Sequence, residues 1–190
     1  TRPVEILKVL IEAKANVNLE DSDGHTALHY AVDKRSIVMI EILIAAGIDV
    51  NVQDLVGKTA LHYALECFYP KKLGKEIVKM LINAGANVNL QDVDGRVALH
   101  YTCSKKVTRA LIDAGANLNL CNNCFGDTPL QEALDIGAKG MAKILITANA
   151  DVYNIKNKKG LTAYDMMDEE MKEFLHDVDK VNQISKANIG

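Results

Sequence analysis

A chain of 190 residues, 48% hydrophobic and 25% charged, can bury a sizeable core in one domain or two. Its net charge of −3 and pI near 5.9 give no electrostatic reason to expect nucleic acid as a partner. No apolar run reaches the ~18 residues needed to cross a bilayer, so membrane insertion is not expected.

Taken in chain order, residues 1 to 20 read as half a unit: an apolar helical stretch, a weak stop at Lys14, then Asn16-Val17-Asn18. The sequence starts inside a unit and without Met, which predicts a piece of a longer chain. Its first helix is expected to leave an apolar face that calls for a further unit or an unusual cap.

The block from Asn18 to His29 then returns from Asn51 to His62 and from Asn89 to His100. Degraded copies run from Asn119 to Gln131 and from Asn154 to Tyr164. Gly24 to Gly57 spans 33 residues, Gly57 to Gly95 38, Gly95 to Gly126 31 and Gly126 to Gly160 34. The surplus lies around Cys67 to Lys72 and near Phe125, and the deficit between Ser104 and Val107. These are turn positions, where changes in length cost least.

Within a unit, Thr26, Thr59 and Thr128 stand where a hydroxyl can cap a helix. A short first helix follows (residues 28 to 32), then an apolar second helix (37 to 44). Gly47, Gly85, Gly115 and Asn149 supply the left-handed stop, and Asp49-Val50-Asn51 and its counterparts lead through an extended hairpin into an Asp-x-x-Gly turn. Val97 lacks the capping hydroxyl, Gln131 stands for the motif histidine and Tyr153 for the hairpin asparagine. The third and fourth units are therefore expected to be weaker, by about 1 kcal/mol per lost cap. Residues 162 to 167 read as a first helix and 168 to 175 as a truncated, charged second helix. The polar tail, 177 to 190, is expected to be loosely ordered or folded back.

Helix, turn, helix and hairpin at a period near 33, with Thr-Ala-Leu-His twice, Val-Ala-Leu-His and Thr-Pro-Leu-Gln, strongly resemble the ankyrin repeat over about residues 3 to 175. The resemblance implies an all-α, ankyrin-type solenoid of helix-turn-helix repeats joined by β-hairpin-like loops. Its parts are a half repeat 1–20, repeats 21–53, 54–91, 92–122 and 123–156, a C-terminal capping repeat 157–176 and a tail 177–190.

Candidate chemistry is sparse. His29, His62 and His100 recur with the period and could suggest a metal ladder, but a ring there is better used to tie neighbouring turns together. Cys121 and Cys124 form a CxxC without a second ligand pair, so neither zinc nor redox work is expected. With Cys67 and Cys103 they read as reduced thiols of an intracellular, cytoplasmic or nuclear protein. Lys71, Lys72 and Lys75 read as a solvated loop. Asp168-Glu169-Glu170 suits a helix N-terminus. No catalytic motif occurs, so the chain is not expected to be an enzyme or to hold a cofactor.

The resemblance also implies a partner-binding face of hairpin tips and first helices. Carried over position by position, it takes Ser22, Asp23, His25, Asp33 and Lys34, then Leu55, Val56, Lys58 and Glu66, then Val93, Asp94, Arg96 and Ser104, and finally Phe125 and Asp127. Leu55-Val56 is the informative pair, since two apolar residues at a tip with Val93 one unit away would form a small exposed patch. The inserted Phe68 and Tyr69 either serve recognition or fold back on the third unit. Leu43, Leu81 and Leu111 lie eight residues before Asn51, Asn89 and Asn119, the spacing at which ankyrin-like asparagines can be hydroxylated. The expected function is a monomeric, non-catalytic module that binds another protein. Alternatives are a segment of a larger enzyme or channel, or a pathogen or viral effector that binds host proteins.

Overall fold

A computed structural model of the chain describes residues 2–66, 71–102 and 104–187, without the side chains of 71–73 and 185–187. The helices are α1 (Arg2–Glu12), α2 (Ala27–Asp33), α3 (Ile37–Ala45), α4 (Ala60–Leu65), α5 (Lys71–Asn83), α6 (Lys105–Asp113), α7 (Pro129–Asp135), α8 (Lys139–Thr147) and α9 (Glu169–Ala187), with a 3-10 turn at Ala98–Tyr101. First helices α2 and α4, the 3-10 turn and α7 pack in one row, and second helices α3, α5, α6 and α8 in another. No strand forms among the described residues, and no helix there is long and apolar enough to cross a membrane.

The stops fall where the sequence places them. Gly47, Gly85, Gly115, Asn149 and Lys14 all have positive φ, and the N–H of the residue after each reaches back to the carbonyl five residues earlier, as Ile48 does to Leu43 O at 3.2 Å and Ala86 to Leu81 O at 3.0 Å. Four residues before each stop, Leu43, Leu81, Leu111 and Leu145 are fully buried between the rows. Leu10 holds the same position in α1 yet is 50% exposed, with Ile6 and Val9 beside it. The expected apolar face on α1 is therefore present.

Hairpins follow from one side chain each. Asp54 Oδ1 accepts the N–H groups of Val56 (3.0 Å) and Lys58 (2.8 Å), and Asp21, Asp92 and Asn157 repeat the pattern. At the tips, Gly57 has φ +74°, and a Cβ there would lie 2.9 Å from Asp92 Cα. Gly47 has φ +79° but no neighbour within 4 Å of that position. Gly57→Ala is thus expected to destabilise by about 2–3 kcal/mol, and Gly47→Ala by roughly 1 kcal/mol. Urea unfolding of the two variants measures the difference.

Several expectations are corrected. Thr26 and Thr59 make no side-chain cap; their backbone N–H groups donate instead to Nδ1 of His29 and His62, at 3.0 Å each. Of these three threonines only Thr128 accepts a helix N–H, from Gln131 at 3.3 Å. Val97 donates its N–H to His100 at 3.1 Å like the threonines, so its missing hydroxyl removes no cap. The third unit differs instead in its length, which leaves a four-residue 3-10 turn for a first helix. Residues 163–166 form turns rather than a helix. The charged helix α9 does not stop near 175 but runs to Ala187, and as far as Val178 an apolar stripe of Met171, Phe174, Leu175 and Val178 holds it against the last unit. Lys71, Lys72 and Lys75 lie on α5, not in a loop.

Candidate partner-binding face

The hairpin tips are laced to one another by backbone hydrogen bonds. Leu55 donates to Asp23 O (3.0 Å), Val93 to Val56 O (3.1 Å), Asn123 to Asp94 O (2.6 Å) and Lys158 to Phe125 O (2.8 Å). Each tip is therefore fixed by the next, and its side chains are presented with little freedom left to lose. Along this ladder Leu55 is 72% exposed, Val56 47%, Val93 63% and Phe125 55%. The tips do not bury these residues against one another. Ser22, Asp23 and Asp94 are exposed beside them.

A second row lies on the first helices and was not read from the sequence. Tyr30, Tyr63 and Tyr101 follow the motif histidines, and each donates its hydroxyl to the turn aspartate nine residues earlier. Tyr30 reaches Asp21 at 2.5 Å, Tyr63 reaches Asp54 at 2.6 Å and Tyr101 reaches Asp92. The constant spacing was the available signal. That hydroxyl, with the N–H of His25, pulls the Asp21 carboxyl down to about 2. Burial, then the aspartate, pushes the Tyr63 and Tyr101 phenols well above their ordinary range.

Cations stack between the rings. Lys58 Nζ lies 5.7 Å from the centres of Tyr63 and Tyr101 and 2.5 Å from Glu66. Arg96 lies 5.9 Å from Tyr101 and 3.3 Å from Glu132. Burial, opposed by Arg96, raises the Glu132 carboxyl. His25 Nε2 donates to Tyr63 Oη at 3.1 Å, since the phenol proton goes to Asp54, and its side chain is mostly covered. Asp33 and Lys34 are exposed and pair with each other at 3.0 Å, and Ser104 is half-buried.

Asp127 does not belong to this face. It is buried, and its Oδ1 accepts from Asn157 Nδ2 at 2.8 Å in the next hairpin. Phe68 and Tyr69 lie outside the described residues, as do Cys67 and Cys103. Asn51, Asn89 and Asn119 bridge units: Asn51 Oδ1 accepts from Asn87 N (2.7 Å), and its Nδ2 donates to Gly85 O (3.2 Å). Asn89 repeats both bonds, and Asn119 accepts from Asp151 N. Tyr153, at the next such position, instead sets its ring 5.4 Å from Tyr164.

The histidines act between turns. Nδ1 of each accepts a backbone N–H, which fixes the proton on Nε2. His100 Nε2 donates to Asp127 O in the next hairpin (3.1 Å). His29 and His62 point Nε2 at the corresponding carbonyls of Lys58 and Arg96 without reaching full hydrogen-bond geometry. Gln131 closes both sides: it accepts from Thr128 N (2.8 Å) and donates to Ile155 O (3.1 Å) and Leu161 O (2.9 Å). An amide thus does in the fourth unit the work that the imidazoles do in the others.

Cys121 and Cys124 are free thiols, and burial raises the Cys121 thiol away from reactivity. Asp21, Asp23 and His25 come close enough to hold a cation. Both Asp21 oxygens are already committed, however, Oδ1 to two backbone N–H groups and Oδ2 to Tyr30.

The family profile for three copies of the ankyrin repeat matches residues 2–92 and 69–157. The chain belongs to the ankyrin-repeat family. No curated protein matches it.

Proposed function

We propose that this ankyrin-repeat chain is a non-catalytic module that binds another protein through its hairpin tips and first helices. The observation that carries this reading is the apolar row Leu55, Val56, Val93 and Phe125, exposed on tips that are locked unit to unit. A soluble surface gains nothing by holding such a row rigid, whereas a binding face loses little entropy when its partner arrives. The Tyr63–Lys58–Tyr101–Arg96 stack behind the row adds flat rings and oriented charges of the kind that fix a partner's position. Free thiols at Cys121 and Cys124 favour a reducing, intracellular compartment for the encounter.

Leu55→Ser/Val56→Ser tests it. Two apolar side chains worth roughly 1.5 kcal/mol each on burial predict partner affinity about 100-fold weaker. Helical signal and melting should stay unchanged, because both side chains project from the fold. Capture from lysate by the parent and the double variant, followed by titration of the captured protein, reads the loss. Equal capture by both would mean that binding does not use the tips.

A further inference from the structure

The second helices carry a pattern that stacking does not require. Ten and six residues before each stop stand Lys75 and Lys79 (before Gly85), Lys105 and Arg109 (before Gly115), and Lys139 and Lys143 (before Asn149). Before Gly47 the same two positions in α3 are Ile37 and Glu41, so the fold accepts other residues there. Because α5, α6 and α8 pack side by side in that order, the three pairs form successive rungs of one basic ladder on the second-helix row. Apolar grooves separate the rungs. One of about 410 Å³ lies between α5 and α6 over Val78, Ile82 and Ala110, edged by Lys75, Lys79 and Lys106, and one of about 420 Å³ between α6 and α8 over Ile112, Ile144 and Ala148, edged by Lys105, Arg109 and Lys143. Asp113 borders both. Lys105 lies across α8 against Gly140, where a Cβ would sit 2.0 Å from its Cε.

The last rung is already occupied by this chain itself. Lys139 pairs with Asp168 and Glu170, at 2.6 Å each, and Lys143 pairs with Glu170 at 2.9 Å. One turn further along α9, Phe174 lines the second groove, its ring centre 5.1 Å from Lys143 Nζ. An acidic helix with an aromatic residue is thus the shape and charge that this surface accepts. On the two earlier rungs Lys75, Lys79, Lys105 and Arg109 make no ion pair among the described residues. They do so in a chain whose net charge is −3.

We propose that the α5–α6 rungs are a second docking surface, separate from the tips, for an acidic amphipathic helix of a partner protein that lays its carboxylates on these cations, as α9 does on Lys139 and Lys143, and an apolar side chain in the groove between them. Cations four residues apart on one helix repel each other, and carboxylates laid across them remove that repulsion. The apolar groups lie on groove floors, which fits a ridge of side chains entering between helices and not a lipid surface resting on their crests. A chain that grips one protein at its tips and another on its second helices bridges the two.

The probe is a fluorescently labelled peptide of residues 167–180 of this sequence, which carries Asp168, Glu169, Glu170, Glu173 and Phe174. It is titrated onto the full chain by anisotropy. Saturable binding that weakens with salt is expected, and Lys79→Glu/Arg109→Glu should weaken it about tenfold or more. Leu55→Ser/Val56→Ser should leave it unchanged, which separates this surface from the tip face. If charge reversal lowers helicity, Lys79→Gln/Arg109→Gln replaces it and should still weaken binding severalfold. The proposal falls if the peptide does not bind, or if it binds the Lys79/Arg109 variants and the parent equally. It also falls if phosphatidylserine vesicles or a short DNA duplex bind through these residues and the peptide does not.

Discussion

Acidification from pH 7 to pH 5 should markedly destabilise this fold, with His29, His62 and His100 as the cause. Burial is the largest influence on all three rings, and it lowers their proton affinity in the fold. Each Nδ1 already accepts a backbone N–H, so a proton has no place there without losing that bond. The unfolded chain binds these protons near pH 6.5 and the folded chain only at lower pH. The stability held at pH 7 therefore falls as pH drops below about 6.5, by roughly 1.4 kcal/mol per pH unit and histidine, until the folded rings titrate. Exposed carboxylates with lowered values, Asp21, Asp165 and Asp168 among them, lose their contribution only in a lower window, below about pH 4. Gln131 supplies the control, since it occupies the histidine position with both hydrogen-bonding sides satisfied and nothing to titrate. His29→Gln/His62→Gln/His100→Gln should unfold in urea at nearly the same midpoint at pH 7 and pH 5, while the parent midpoint collapses. A parent curve that is flat across that range would place the charge-sensitive groups elsewhere.

The stops and turns were legible in the sequence because each depends on one residue with a local task. Gly47, Gly85, Gly115 and Asn149 take positive φ, and Asp54 and its counterparts bind the N–H groups that follow them. Exposure at Leu55, Val56 and Val93 followed from register alone. Apart from the histidine ties, what depended on contacts between units was not legible. Asp127 follows the tip glycine, as Lys58 and Arg96 do, yet Asn157 of the next hairpin draws it inside. The far reach of α9 was hidden because the repeat template ends near 175, although Met171, Leu175 and Val178 already spell a longer apolar stripe. The tyrosine row needed a comparison between columns of the repeat, not a reading along it. The basic ladder is the same kind of signal, and it becomes meaningful only once α9 is seen lying on its last rung.

Leu111→Ala should destabilise the chain by about 3–5 kcal/mol and divide its unfolding into two transitions. Leu111 is fully buried in α6, whose unit has a four-residue 3-10 turn where its neighbours have whole first helices. A cavity at this position cannot be closed by moving a long partner helix, so little of the cost is recovered by collapse. In a stack, stability is a sum of unit terms and neighbour interfaces, and this unit is the bridge between the α4–α5 pair and the α7–α8 pair. Once it opens, the two flanking pairs have no interface in common and should melt independently. Leu145→Ala removes the same side chain from the same register in α8, but it lies beside the α9 cap, so its loss should fray one end and keep a single main transition. Calorimetry or urea unfolding of both variants separates these outcomes. A single cooperative transition in Leu111→Ala, at a lower midpoint, would show that the third unit is not where the stack divides.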